Sequence, residues 1–392
     1  MTEKIYDTDA YCQSFQAQVI SCGESKNGFE LILDRTAFYP EGGGQPGDYG
    51  SLALLAADGS QTEIVRIKDT QEKDGDVIHL AEQYVEPGTL VQGQIDWIHR
   101  FDLMQNHSGE HIVSGLIHAR YGYNNVGFHM GSDTITVDLD GEFSVEDMRE
   151  FERQANQIVW ANTKTDIRVY SEEEIKKLEY RSKKELHGQV RIVTFEGADT
   201  CACCGTHVRY TGEIGLIKLI SLEKFREGVR MEMLCGRRAL NYMNEMWEQN
   251  RQISVMLSAK PGETAAAVMR LKESAQRDSI PMAQMEARMF EEKAQQLKGT
   301  GKVLLFQEGL SADSVRRLAV AVMETCGGRC AVFSGSDEEG YKYALGEKDG
   351  DLRELIKQMN TALNGRGGGK PFFAQGSVKA DQKAIREFFE FK

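Results

Sequence analysis

The chain contains no apolar run that approaches membrane-spanning length, so a transmembrane anchor and a membrane partner are not expected. Its first residues, Met1-Thr2-Glu3-Lys4, lack the apolar core of a secretory signal, which makes a cytoplasmic protein the expectation. Positive charge is also scarce: 47 Lys and Arg against 60 Asp and Glu give a net −13. That balance argues against a general nucleic-acid coat protein but leaves room for a local basic face. Cysteines number only 8, yet three of them crowd into Cys201-Ala202-Cys203-Cys204. In a reducing compartment such crowding points to metal ligation rather than to disulfides. The remaining composition is that of an ordinary globular protein, and 392 residues are enough for two or three domains.

What is present centres on Asn106-His107-Ser108-Gly109-Glu110-His111, at the head of the apolar residues Ile112, Val113, Leu116 and Ile117. Two histidines four apart on a helix project from one face. With eight histidines in the chain, a chance pair at this spacing is common enough to carry little alone. The second half of the constellation is Cys203-Cys204-Gly205-Thr206-His207, which repeats the four-residue offset with zinc-preferring donors. His107, His111, Cys203 and His207 together suit a tetrahedral Zn2+ site. Gly109, inside the helix, costs about 1 kcal/mol relative to Ala. It admits either a backbone or ligand close to the metal, or a neighbouring strand.

The pattern along the chain predicts an α+β fold. Residues 1–90 read as a small antiparallel β-barrel, with turns at Asn27-Gly28, Asp58-Gly59 and Asp74-Gly75. Residues 91–237 read as an α/β zinc-containing domain, with a metal helix from around Arg100 to Tyr121 and a capping box at Ser144 and Asp147. Residues 238–299 are rich in Met, Ala, Glu, Gln, Lys and Arg and are broken at Lys260-Pro261-Gly262. They read as a helical arm, either a coiled-coil dimer arm or a monomeric linker, with a homodimer through this arm or through the C-terminal domain as the expectation for partners. Residues 300–392 alternate strand and helix as a small α/β domain.

Two glycine-rich stretches stand out. Gly42-Gly43-Gly44-Gln45 lies in the barrel region, where successive glycines suggest positive φ or close approach of another molecule, a long hairpin loop being the plainer alternative. Near the C-terminus, Gly365 to Gly376 carries Arg366, Lys370, Phe372 and Phe373. This loop could meet phosphate and stack bases, or the aromatics pack inward and the glycines only turn the chain.

Taken in order, the Asp34–Asp48 segment, the His107/His111 and Cys203/His207 pairs and the Gly367–Gln375 stretch resemble the editing half of alanyl-tRNA synthetase and its stand-alone AlaX-type relatives in their long form. The resemblance spans essentially the whole chain and implies that no aminoacylation module is present. It implies hydrolysis of the ester joining serine, or glycine, to alanine tRNA, with the four metal ligands at His107, His111, Cys203 and His207 and a serine-sensing threonine at Thr36. Gly43-Gly44-Gln45 also matches the tripeptide with which release factors hydrolyse an ester on tRNA. Gln45 is therefore nominated for catalysis beside Thr36. Glu110 is nominated as general base, a positioning or solvated carboxylate being the alternative. Gly42, Gly43, Gly44, Arg366 and Lys370 are candidates for substrate and tRNA contacts. Cys204 stands where many members carry glycine, so either sulfur is open as the ligand. The editing domain of threonyl-tRNA synthetase has similar motifs, which leaves tRNA identity partly open.

The chemistry is coherent. An apolar pocket poorly rejects an isostere that adds a hydroxyl, whereas a second site that hydrogen-bonds the hydroxyl selects for it. Two rival readings remain. His107-Ser108-Gly109-Glu110-His111 matches the inverted His-x-x-Glu-His zinc peptidase motif, which needs a downstream acidic ligand and leaves Cys203 and His207 without a role. A non-catalytic tRNA-binding scaffold with structural zinc is the other, since four protein ligands usually describe a closed site.

Overall fold

Ser14–Ser25 (β1) buries Phe15, Ala17 and Val19 and exposes the residues between them, the period-two pattern of a strand with one face on a core. The computed structural model describes residues 2–182, 186 and 188–390. It closes β1 into a barrel with Gly28–Leu33 (β2), Gly50–Leu55 (β3), Gln61–Lys73 (β4), Asp76–Ala81 (β5) and Leu90–Ile95 (β6), in the order β1-β2-β5-β4-β3-β6. Ser25 pairs with Gly28 across the β1–β2 turn, as Asn27-Gly28 predicts. Strand β6 pairs with both β1 and β3, so the barrel extends past residue 90. Before the barrel, Glu3–Lys4 pairs in parallel with Arg35–Thr36.

The long helix Trp97–Tyr121 (α1) follows at once, capped by Asp96 at its start and ended by Gly122 in the left-handed region. After it come Asn125–Met130 (β7), Ile135–Leu139 (β8), Val145–Ala161 (α2), Asp166–Tyr170 (β9), Val190–Phe195 (β10), Asp199–Ala202 (β11), Ile217–Phe225 (β12) and Gly228–Cys235 (β13), with short helical turns at Glu172–Ile175 and Thr211–Ile214. They form a sheet β12-β13-β8-β7 and a smaller sheet β9-β10-β11. Helix α2 starts with the Ser144/Asp147 capping box. Leu103, Met104, Ile112, Val113 and Ile117 of α1 pack with Val137, Met231 and Met233 of the larger sheet in one core. At Gly109 the helix runs close against β13: a Cβ there would lie 2.2 Å from Cys235 Sγ. Of the two uses expected for this glycine, the structure shows the neighbouring strand.

The chain divides into two compact units, Met1–Asn250 and Arg251–Lys392. Gly236–Met256 (α3) runs across the boundary, and the Pro261–Glu263 turn separates it from Thr264–Gln296 (α4), which continues through Pro281. The second unit continues with Val303–Phe306 (β14), Ala312–Cys326 (α5), Cys330–Ser336 (β15), Gly340–Gly346 (β16), Arg353–Ala362 (α6), Gly365–Lys370 (β17), Phe373–Val378 (β18) and Gln382–Glu390 (α7). Its sheet order is β14-β15-β16-β18-β17.

The terminal glycine stretch is a correction to the sequence reading. Gly365–Lys370 is an edge strand hairpinned onto β18, not a loop. The glycines there clear space: a Cβ on Gly367 would sit 2.2 Å from Tyr343 Oη and 2.5 Å from the Gln375 carbonyl oxygen. Among the described residues, no helix is long and apolar enough to cross a membrane.

Candidate metal centre

Helix α1 supplies the first half of the site. His107 and His111, one turn apart, both face inward and are almost wholly buried, with ring centroids 5.2 Å apart. The second half comes from the segment that leaves β11. Cys203 follows the strand directly, and Gly205 lets the chain fold under His107: a Cβ at 205 would lie 2.2 Å from His107 Cε1. His207 then lands 4.5 Å from His107 and 4.8 Å from His111, centroid to centroid. One ligand atom from each of His107, His111, Cys203 and His207 lies within 4.8 Å of the others. Cys203 Sγ is 3.5 Å from His107 Nε2 and 3.4 Å from His207 Nε2. Cys204 is exposed and outside this group, because adjacent residues leaving a strand point in opposite directions.

Each histidine keeps Nε2 for the cluster by engaging Nδ1 elsewhere. His107 Nδ1 is 2.9 Å from Gln45 Oε1, His111 Nδ1 is 2.9 Å from Asp199 Oδ2, and His207 Nδ1 is 3.3 Å from Ser108 Oγ. An imidazole whose Nδ1–H is donated outward presents an Nε2 lone pair inward, the form a metal needs. Electrostatics agree. Burial opposes ionisation of Cys203, but His107, His207 and His111 outweigh it and hold the thiol well below its usual range. Burial, followed by the His107 charge, pushes His207 down to about 3. Burial also opposes charge on His111, yet the Cys203 thiolate and the Asp199 hydrogen bond raise it well above its ordinary value. A thiolate and a carboxylate that draw positive charge onto His111 mark a place where a bound cation would supply that charge instead of a proton. The donor set therefore fits zinc in type, number and tautomer.

The barrel's glycine loop reaches the cluster through Gln45. Gln45 is buried, its Oε1 on His107 and its Nε2 donating to Thr206 Oγ1 at 2.8 Å. The three glycines before it bring the loop close to the larger sheet. Gly43 and Gly44 both have positive φ, and a Cβ on Gly44 would lie 2.7 Å from Phe128 of β7. The Phe128 ring in turn stacks on His107.

The other nominated residues lie as follows. Thr36 is buried, with its Oγ1 2.8 Å from His79 Nε2 and accepting from the Phe38 amide at 3.1 Å. Glu110 is buried beside Cys235, and its Oε1 accepts from Ser114 Oγ and from Asn125 Nδ2. Arg366 and Lys370 are exposed on the edge strand β17, in the second unit. Gly367, Gly368, Gly369 and Lys370 line a shallow cavity of about 340 Å³ with Arg353, Lys357 and Asn360.

Sequence reading missed Asp199, Arg181, Ser108 and His79. Only Ser108 lies beside a recognised ligand, and nothing in the local spacing ties Asp199 to a histidine 88 residues earlier. Thr206, inside the Cys-Cys-Gly-Thr-His stretch, gains its role only through Gln45.

Three families match parts of the chain: tRNA synthetases class II (A) over residues 7–99, the threonyl and alanyl tRNA synthetase second additional domain over 190–230, and the DHHA1 domain over 298–391. The chain is 28% identical to the alanyl-tRNA editing protein AlaX-L of Pyrococcus horikoshii, across 98% of this chain and 96% of that protein. It is 26% identical to the alanyl-tRNA editing protein Aarsd1-A of Xenopus laevis, across 96% and 94%. An alanine–tRNA ligase of Halobacterium salinarum is 32% identical over 96% of this chain, which spans 42% of that ligase.

Proposed function

We infer that this chain, which resembles alanyl-tRNA editing proteins along nearly its whole length, is an aminoacyl-tRNA deacylase that hydrolyses the ester of mischarged alanine tRNA in trans. The substrate is chiefly seryl-tRNA, with glycyl-tRNA as a second, and the work belongs to translation in the cytoplasm. The observation that carries the reading is the convergence of His107, His111, Cys203 and His207 on one point, with the barrel's Gln45 reaching across to His107.

These four residues would hold zinc. A bound zinc would supply Lewis-acid polarisation of the ester carbonyl, or serve only to shape the pocket. The remaining roles belong to the chain. Gln45 fixes His107 with Nδ1 protonated and ties the glycine loop to the Thr206 turn, so it positions rather than reacts. Glu110, engaged by Ser114 and Asn125, holds β7 to α1. Gly42, Gly43 and Gly44 let the loop approach the substrate without side chains.

Thr36 is the selector. His79 Nδ1 is 3.1 Å from the Leu31 carbonyl oxygen and must donate to it, so His79 Nε2 is an acceptor. The Thr36 hydroxyl therefore donates to His79 and accepts from the Phe38 amide. What remains for a substrate is an oxygen lone pair, which a serine hydroxyl can satisfy and an alanine methyl cannot. Grip on tRNA falls to the second unit, through Arg366 and Lys370. Val268 and Leu271, and further on Met282, Met285 and Met289, are exposed along α4 with three- and four-residue steps inside each group, short apolar stripes of the kind two copies pairing through the helical arm would cover.

Release of serine from seryl-tRNA, with and without a metal chelator, tests this function. Chelator-sensitive release is expected. No release of serine, or cleavage of a fluorogenic peptide instead, would remove the reading in favour of a scaffold or a peptidase.

A further inference from the structure

The three imidazoles differ in what anchors them. His107 meets a neutral amide oxygen and His207 a hydroxyl at 3.3 Å, whereas His111 meets the carboxylate of Asp199 at 2.9 Å. That carboxylate is itself fixed. Arg181 closes on it with Nε to Oδ1 at 2.7 Å and Nη2 to Oδ2 at 2.8 Å, and the Asp199 side chain is only 1% exposed. The backbone holds Arg181 in turn, its N–H donating to Thr200 and its carbonyl accepting from Ala202. Helix α1 makes room for the pair at Gly115, where a Cβ would lie 2.6 Å from Asp199 Cβ.

We propose, on the basis of the metal-dependent reading above, that Arg181 and Asp199 form a positioning pair that makes His111 the strongest imidazole donor of the quartet. The site is graded rather than symmetric. A carboxylate on Nδ1–H fixes the tautomer and raises the basicity of Nε2 more than an amide or a hydroxyl does. Arg181 engages both Asp199 oxygens and so fixes the direction in which the carboxylate meets His111. His111, Asp199 and Cys201 also lie close enough to suggest a second ion, but both Asp199 oxygens face the guanidinium, and a cation entering there would meet a like charge. Asp199 thus acts through His111. At the other end of the grade, His207 sits on a turn with one long hydrogen bond and is the least firmly held imidazole.

The test is the zinc dissociation constant of the full chain, measured by competition with a chromophoric chelator, with the visible absorption of the Co2+ form as a second readout. Asp199→Ala should weaken zinc binding about 10–100-fold. Asp199→Asn keeps an oxygen acceptor at the same place without the charge, so it should fall between Asp199→Ala and the unaltered protein and shift the Co2+ bands. Ser108→Ala should weaken zinc binding clearly less than Asp199→Ala does. Melting the zinc-free proteins separates loss of fold from loss of affinity, and Asp199→Asn carries the test if Asp199→Ala does not fold. Zinc held as tightly by the Asp199 variants as by the unaltered chain would overturn the proposal, as would equal weakening by Ser108→Ala. An unaltered protein with no affinity for zinc would instead sink the metal reading on which the proposal rests.

Discussion

Arg100 Nε donates to Asp48 Oδ2 at 2.9 Å with both side chains fully buried. The pair joins the end of the glycine-loop segment to the helix that carries His107 and His111. Arg100 also donates to the Ala10 and Ala37 carbonyls, while Asp48 accepts from the Tyr39 amide. Removing one partner leaves the other charge buried without compensation. Asp48→Ala is therefore expected to cost about 3–5 kcal/mol of stability in urea unfolding. A loss below about 1 kcal/mol would mean that water replaces the carboxylate.

Protein purified without chelator is expected to hold about one zinc per chain by elemental analysis, as four donors of this type imply. His107→Ala or His207→Ala should release it and abolish deacylation. Cys203→Ser should lose the metal while Cys204→Ser keeps it, because of these two it is Cys203 that turns its sulfur toward the histidines. Full occupancy in both histidine variants would exclude the site.

Thr36→Val preserves volume and deletes the hydroxyl. Hydrolysis of seryl-tRNA should fall roughly fivefold to a hundredfold, with alanyl-tRNA still a poor substrate. Stability should drop as well, since the variant leaves the Phe38 amide and His79 Nε2 without their partner. A stability loss with seryl-tRNA turnover unchanged would make Thr36 a barrel residue only.

The buried His79 ring gives the barrel a pH dependence of known sign. Burial pushes its pKa down to about 4 from an ordinary 6.5. The unfolded chain therefore takes up a proton before the folded one does. The stabilisation is fully present above pH 6.5 and is lost as the pH falls towards 4. At pH 5 the loss relative to pH 7 should be about 2 kcal/mol. Urea unfolding at both pH values checks this, and His79→Gln should flatten the slope whatever its absolute stability.

Arg366→Ala and Lys370→Ala should each weaken binding of uncharged alanine tRNA and lower the slope of log affinity against log salt by about 1. The quartet keeps its ligands in both variants, so turnover at saturating substrate should survive. Unchanged affinity and slope would leave the edge strand β17 with a structural role alone.

What the sequence revealed were features that local spacing controls. The His107/His111 offset, the Cys203/His207 offset, the Ser144 capping box and the Asn27-Gly28 hairpin are each written within a few residues, and each appears where spacing puts it. What stayed hidden depends on tertiary packing. Asp199 and Arg181 become partners of His111 only when β11 packs against α1, and Gly115 has meaning only at that crossing. The Gly365–Lys370 strand was illegible because glycine is depleted in strands. The Tyr343 hydroxyl that demands small residues there arrives from a strand 24 positions earlier, counting from Tyr343 to Gly367.

The distance between the two halves of the quartet has a consequence for the timing of synthesis. Cys203 lies 96 residues after His107, so a ribosome exposes the helical pair well before the remaining donors exist. A chain at that stage would offer a cation only two imidazoles, too few donors to hold it. On the zinc reading proposed above, tight retention would begin only after residue 207 has emerged and β11 has docked, which would make loading of the centre a late event, timed by assembly of the site rather than by formation of the helix.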